Sequence, residues 1–376
     1  MNFFTKVDIP ASDWQIDYTS RLAFFGSCFA DNISAQFASR KFKVLANPFG
    51  TVYNPLSIAK QIKAIADGKI FGEDDVFQDT RVGNCASNEK CVSNENRAAT
   101  WYSWDAHGSL SGKSREECIA KLNDATSKTR EFLQKANVVF ITLGTAFVYF
   151  LKNEKQQSSE NARGQIVANC HRQDPRLFER RMISVDEAAD AIREIVDGLR
   201  KIKNDWILRQ SSPRTCSGAQ DDKQSESRGL HIVFTVSPLR HMSDGAHGNN
   251  LSKATLQLAI DKVVQEIATS PLVRNDIATY FPSYEIVMDE LRDYRFYDND
   301  MIHLSKVAEE YIFERMTETY CSEKTRENIK QVEKFLKSAN HRIQDADSPA
   351  TAAFLQKLKV EAAKLEKQTE GLQLNA

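Results

Sequence analysis

Short apolar runs that stop at a glycine or a polar residue alternate with stretches in which apolar residues return every three or four positions, as far as residue 320. This alternation predicts a parallel sheet covered by helices. Leu22 to Phe25 reads as a first strand, ended by Gly26. Asp31 to Lys41 follows as a helix, because Ile33, Phe37 and Ala38 share one face, and Phe42 to Ala46 completes a βαβ unit. Pro55 opens a helix running to about Asp67, at the position where its missing N–H costs nothing. A longer helix is expected over Arg115 to Gln134.

Val138 to Leu143 is an uninterrupted apolar, β-branched run ended by Gly144, as expected of a central strand covered on both faces. Ser184 starts a helix as its cap, with Glu187 reaching back and Ala188, Ile192, Ile195 and Leu199 forming the inner stripe. His231 to Val236 is the next strand, and Ser252 to about Ile267 is a helix with Leu256, Ile260, Val263 and Val264 inside. Ile286 to Met288 is the candidate last strand. Two polar stretches, Gly83 to Arg97 and Gln210 to Arg228, look like surface insertions. Beyond Glu323 two stripes at helical spacing predict a hairpin turning near Asp347 to Pro349: Ile329, Val332, Phe335 and Leu336, then Phe354, Leu355, Leu358, Ala362 and Leu365. The expected division is an α/β/α domain over 1–322 and a helical extension over 323–376, which packs on the core or offers a homodimer surface.

Composition narrows the function classes. Fifty Lys and Arg against fifty-one Asp and Glu give a net charge of −1, without the basic footprint of a nucleic-acid binder. No apolar run approaches the roughly 20 residues of a membrane span, and MNFFTKVDIPASDW carries no secretory h-region, so a cytoplasmic location is expected. Seven irregularly spaced cysteines fit neither a disulfide framework nor paired zinc ligands, and are expected as free thiols.

Ligands of open α/β sheets bind beyond the carboxyl ends of the strands, so the polar residues after each run are the candidates. They are Gly26-Ser27-Cys28, then Asn47, Gly50 and Thr51, then Gly144-Thr145, and late in the chain Asp300 and His303. A hydroxyl or thiol at a helix N-terminus lies at the positive end of the dipole, near N–H groups able to hold an oxyanion. The Asp300-Met-Ile-His303 spacing lets a carboxylate orient an imidazole whose other nitrogen takes the nucleophile's proton. By pattern alone, a Gly-Ser pair is also an ordinary capped turn and an Asp/His pair an ordinary structural contact.

At these residues the chain resembles a known family. FFGSCFADNI (Phe24 to Ile33) looks like the name-giving motif of the GSCFA domain family, related to the SGNH/GDSL hydrolases. NPFGTVYNP (Asn47 to Pro55), ITLGTAFVY (Ile141 to Tyr149), NCHRQDP (Asn169 to Pro175), FTVSPLRH (Phe234 to His241) and DYRFYDNDMIHLS (Asp293 to Ser305) resemble it too. The resemblance implies a flavodoxin-like three-layer sandwich and ester or acyl chemistry. It puts Cys28 at the nucleophile position and Ser27 where an aspartate would stand. Gly50 resembles the glycine whose N–H serves the oxyanion hole, and Asp300 and His303 resemble the acid and base. Thr145 follows the third-block glycine where an asparagine would donate to the oxyanion, and its hydroxyl is the expected substitute. The helix N-terminus and His303 are expected to lower the Cys28 pKa. The register of the turn leaves Ser27 open as nucleophile.

Asn47, His107, Arg240 and His241 are the residues expected to touch substrate, the last two through an anionic group. Trp101 and Trp104 either stack on a sugar or cover the core. His241 to His247 has the residue types of a metal loop without zincin spacing, and no metal or cofactor is expected. Arg172, Arg180 and Arg181 are expected in ion pairs with acids such as Asp174. Two functions follow: an SGNH-like hydrolase or acyltransferase acting on a small or carbohydrate ester, or a non-catalytic module using the same cleft to hold a saccharide or partner.

Overall fold

Five apolar runs pair side by side in one parallel sheet of the computed structural model, which describes residues 5–79, 100–152, 164–211, 229–269, 277–340 and 348–374. The strands are β1 (Arg21–Gly26), β2 (Lys43–Ala46), β5 (Val138–Leu143), β9 (His231–Val236) and β10 (Ile277–Tyr280), in the order β2-β1-β5-β9-β10. This is the 2-1-3-4-5 order of doubly wound sheets, whose switch point falls between β1 and β5. Two smaller antiparallel sheets stand beside it. One pairs β3 (Phe77–Gln78) with β4 (Trp101–Tyr102); the other is β7-β6-β8, built from β6 (Phe147–Leu151), β7 (Gln165–Val167) and β8 (Phe178–Met182).

The two-residue period of a strand sends alternate side chains to opposite faces, and both faces here are apolar. Ala23 and Phe25 with Val139 and Ile141 join one cluster, covered by α2 (Pro55–Asp67), α3 (Arg115–Gln134), α4 (Val185–Ser211) and α5 (Gly245–Thr269). Leu22 and Phe24 with Val138 and Phe140 join the other, covered by α1 (Cys28–Ser39), α7 (Lys306–Tyr320), α8 (Glu323–Ala339) and α9 (Pro349–Gln368). Phe24 stacks on Phe140 at 4.6 Å, and Phe37 of α1 meets Phe313 of α7 edge-on at 4.9 Å. The helices after Glu323 therefore close the second layer: Val332, Phe335 and Leu365 are buried in the same cluster, and Arg40 bridges Glu310 of α7 to Glu333 of α8. Among the described residues no helix is long and apolar enough to cross a membrane.

Three expectations shift. The last strand is β10, and Ile286 to Met288 belongs to a helical turn, α6 (Ser283–Glu285) running on as a π-turn over Ile286–Glu290. A three-residue apolar run has too little periodicity to separate the two, and here it buries Ile286 and Val287 as one side of a turn. Helix α5 begins at Gly245, ahead of the expected start at Ser252, so the glycines around His247 open the helix. Trp101 and Trp104 are tied into the protein: Trp101 lies in β4 against the core, and Trp104 stacks on Phe77 at 3.7 Å. Of the arginines expected in ion pairs, Arg180 takes Asp244 and Arg181 takes Glu187, whereas Asp174 pairs with Arg176. The segment 83–97 lies outside the described residues, as does 212–228; 210 and 211 end α4.

Gly26 ends β1 with φ +133°, and a Cβ built there would lie 2.0 Å from the Thr142 carbonyl oxygen of β5. No L side chain fits that backbone or that approach. Gly26→Ala is therefore expected to cost at least about 2 kcal/mol, read as a lowered urea midpoint. Gly72→Ala, whose Cβ would meet nothing within 4 Å, should leave it in place. Equal midpoints for both variants would contradict this account.

Candidate active site

Because β1 must stop at Gly26, the chain turns over the switch point and enters α1 at once. Ser27 is the N-cap residue in extended conformation, and Cys28 is the first helical residue. The turn is clasped from below. Asn47, held at φ +37°, accepts the Gly26 N–H through Oδ1 (2.8 Å) and donates through Nδ2 to Asp31 Oδ1 (2.7 Å); Thr51 donates to the other Asp31 oxygen (2.9 Å). Asp31 thus stands one helical turn beyond Cys28 with both oxygens engaged.

The opposite wall comes from residues near 300. Asp298 donates its N–H to the His303 carbonyl (2.8 Å), Ser305 donates to Phe296 (2.9 Å), and Ser305 caps α7. Asn32 of α1 donates to Glu309 of α7 (2.5 Å), tying this loop to the helix that carries Cys28. Within it, Asp300 Oδ1 accepts the N–H groups of Ile302 (2.9 Å) and His303 (2.8 Å), while Oδ2 meets His303 Nδ1 at 2.5 Å. The His303 side chain and these N–H groups hold the Asp300 carboxyl down at about 2. The ring is thereby oriented, and Nε2 is the nitrogen left for chemistry.

Ser27, Cys28, Tyr53, Gly144, Ser237, Leu239, Arg240, His241, Met242, Ser243, Ile302 and His303 line one cleft of about 260 Å³. Ser27 is 1% exposed, and its hydroxyl has no hydrogen-bond partner among the described residues; Cys28 is only partly buried. Burial pushes the Cys28 thiol pKa up, and the Asp31 carboxylate pushes it further. The N–H groups of Cys28 and Phe29 and the Lys253 ammonium oppose this. The lowered pKa expected from the helix end and His303 is therefore not what the site produces: desolvation outweighs the dipole. His241 lies across the cleft with its ring edge-on to Tyr53 at 6.0 Å, and burial lowers its pKa against the pull of Asp244.

Other residues expected at the site lie elsewhere. Gly50 gives its N–H to the Asn47 carbonyl (2.7 Å) and, at φ +77°, makes room for His107, whose Cβ would be 2.2 Å from an added Cβ. Thr145 gives its N–H to the Tyr53 carbonyl (3.0 Å), and its hydroxyl, 3.1 Å from that of Ser252, accepts the Phe147 N–H. The Gly50 N–H is therefore not spare for an oxyanion, and the Thr145 hydroxyl faces Ser252. The first-turn N–H groups of Cys28 and Phe29, which have no acceptor within the helix by position, stand beside the Cys28 sulfur. Asn47 has both ends of its amide committed to the clasp, and His107 caps a turn through Ser109. Both are architectural. Sequence reasoning passed over three residues: Tyr53, whose carbonyl accepts from Gly144 (2.7 Å) as well as Thr145; Asp31; and Lys253. Lys253 stands three residues before Leu256, on the inner stripe of α5, and a lysine there was the signal.

A doubly wound α/β/α protein with a cysteine and a carboxylate-tied imidazole at its switch point is the class that this fold and cleft define. The chain belongs to the GSCFA family, whose model matches residues 21–209 and 216–316. No curated protein and no solved structure matches it.

The first-listed cause of the low Asp300 pKa is the His303 side chain, which makes it testable. In His303→Gln the Asp300 carboxyl should titrate above its wild-type value of about 2, toward about 3.9, by carbon NMR of the carboxyl group. Because a depressed carboxyl stabilises its contact only while ionised, the wild-type pair should weaken as pH falls from about 4 toward 2. An unchanged titration in the variant would contradict the pairing.

Proposed function

We propose that the protein is an SGNH-like acyl-ester hydrolase or acyltransferase with Cys28 as nucleophile. The observation that carries this reading is one cleft, at the sheet's switch point, lined both by a first-turn thiol and by an imidazole tied to a carboxylate. Cys28 is favoured over Ser27 because its side chain is accessible, whereas Ser27 is nearly sealed.

The environment keeps the resting thiol protonated, so proton removal accompanies attack. His303 Nε2 takes the thiol proton as sulfur bonds to the acyl carbon, and returns it to the departing alkoxide, leaving a thioester on Cys28. The carbonyl oxygen, carrying the negative charge meanwhile, faces the N–H groups of Cys28 and Phe29 and the positive end of α1. Water or a second hydroxyl, deprotonated by His303, then attacks the thioester and frees the thiol. Asp300 keeps the ring in register through Nδ1. Arg240 and His241 line the far wall, where an anionic group of the substrate would lie. The small size of the cleft suits a short acyl group, and an O-acylated carbohydrate is the substrate class that the family resemblance implies.

Hydrolysis of short-chain aryl esters tests the assignment. Cys28→Ala should abolish turnover, His303→Ala should lower kcat/KM by about 10²–10⁴-fold, and Ser27→Ala should change it by less than about tenfold. Equal rates in all four proteins would remove the enzyme and leave the non-catalytic binding module. Loss of activity in Ser27→Ala alone would transfer the nucleophile's role by one residue.

A further inference from the structure

His241 is the second imidazole of the cleft, and like His303 it has a carboxylate behind it. The turn over Met242–Asp244 folds Asp244 back toward the ring: the Asp244 N–H donates to the His241 carbonyl (3.2 Å), and the His241 N–H donates to Asn249 Oδ1 (2.9 Å). Nδ1 lies 3.0 Å from Ser243 Oγ and 3.7 Å from Asp244 Oδ2. The Asp244 side chain is wholly buried. One of its oxygens pairs with Arg180 of β8, while Oδ2 accepts no hydrogen bond among the described residues. A buried carboxylate oxygen without a donor is costly, and the group facing this one is the imidazole.

Both neighbours of Nδ1 are oxygens and one is a carboxylate, so the proton of a neutral ring belongs on Nδ1 and Nε2 keeps its lone pair. Burial favours the neutral ring; Asp244 pulls the other way, and Arg180 and Lys253 oppose Asp244. The two carboxylate-backed imidazoles differ here. Asp244 is shared with Arg180, which leaves His241 oriented without making it a strong base, whereas the Asp300 carboxyl is held down chiefly by His303 itself. Among the described residues every polar partner of the His241 ring lies at Nδ1, so Nε2 is an acceptor without a donor, on a residue that lines the cleft. The charge of that wall is carried by Arg240, whose guanidinium has the neutral Asn250 and Met288 side chains beside it.

We propose that His241 is a specificity-determining residue whose Nε2 accepts a hydrogen bond from a substrate hydroxyl other than the esterified one, so that the cleft takes partly acylated polyols, saccharides among them, in preference to simple esters. An ester that places its carbonyl carbon at Cys28, in a cleft of about 260 Å³, has its alcohol portion within a few bonds of the opposite wall. A hydroxyl there meets the lone pair. An alkyl group in the same place strands it away from water, and the penalty for a stranded polar atom makes the choice sharper than the bond alone would. The inference rests on the ester reading with Cys28 as nucleophile and gives that reading its substrate class.

The experiment compares acetate release from 2-hydroxyethyl acetate and from propyl acetate, which differ by a hydroxyl in place of a methyl group. The ratio of their kcat/KM values is free of any change common to both esters. The wild-type ratio should exceed that of His241→Phe at least about fivefold. His241→Gln, whose amide oxygen is again an acceptor, should recover part of the difference. Equal ratios in wild type and His241→Phe overturn the proposal, as does a His241→Gln ratio no higher than that of His241→Phe. So does a folded His241→Phe protein that turns over neither ester, which would place the ring in the reaction itself. Should His241→Phe fail to fold, His241→Ala is read by the same ratio. Wild type turning over both esters at the His241→Phe ratio removes this inference alone; wild type turning over neither removes the ester reading with it.

Discussion

The close approach of β1 to β5 at Gly26 is the contact on which the site depends. With a Cβ excluded there, the chain turns directly above the switch point, and Ser27 and Cys28 become the mouth of α1. Asn47 and Asp31 then fix the turn from the β2 side, and the Tyr53 carbonyl fixes the Gly144 turn against it. The loop bearing His303 arrives from some 270 positions further along the chain and is held against α1 through the Asn32–Glu309 contact. Each link is a hydrogen bond between parts of the chain distant in sequence, so the cleft exists only when the whole sheet is formed.

The electrostatics of the cleft run against a simple helix-dipole picture. The dipole and the first-turn N–H groups favour an anion at Cys28, yet burial and Asp31 together outweigh them. A resting thiol is the consequence, slow to oxidise or alkylate until a base acts on it. The same low dielectric that holds the thiol neutral also drives the Lys253 amine toward its neutral form.

The sheet was legible in the sequence where strands are buried on both faces. Val138 to Leu143 and His231 to Val236 announce themselves as continuous apolar runs. β10 does not, because Ile277-Ala-Thr-Tyr is short, and the Ile286 run competes with it. Gly26-Ser27-Cys28 was legible through the strand-end rule, which uses topology alone, and Asp300-His303 through its spacing and the family resemblance. The partners that occupy the Gly50 N–H and the Thr145 hydroxyl were not, since no spacing reveals that the Asn47 carbonyl meets one and the Ser252 hydroxyl the other. Lys253 was legible in principle: a charge on the inner stripe of an amphipathic helix breaks the period of its neighbours. It stood among residues read for packing rather than for chemistry.

The central claim, that Cys28 receives an acyl group, is tested most directly by quenching the protein with acid after brief exposure to an activated acetyl ester. Intact-mass and peptide analysis should find one acetyl group, on the Cys28 peptide and labile to hydroxylamine as a thioester is. An unmodified Cys28 while ester is being consumed, or acetyl on another side chain alone, would contradict the account.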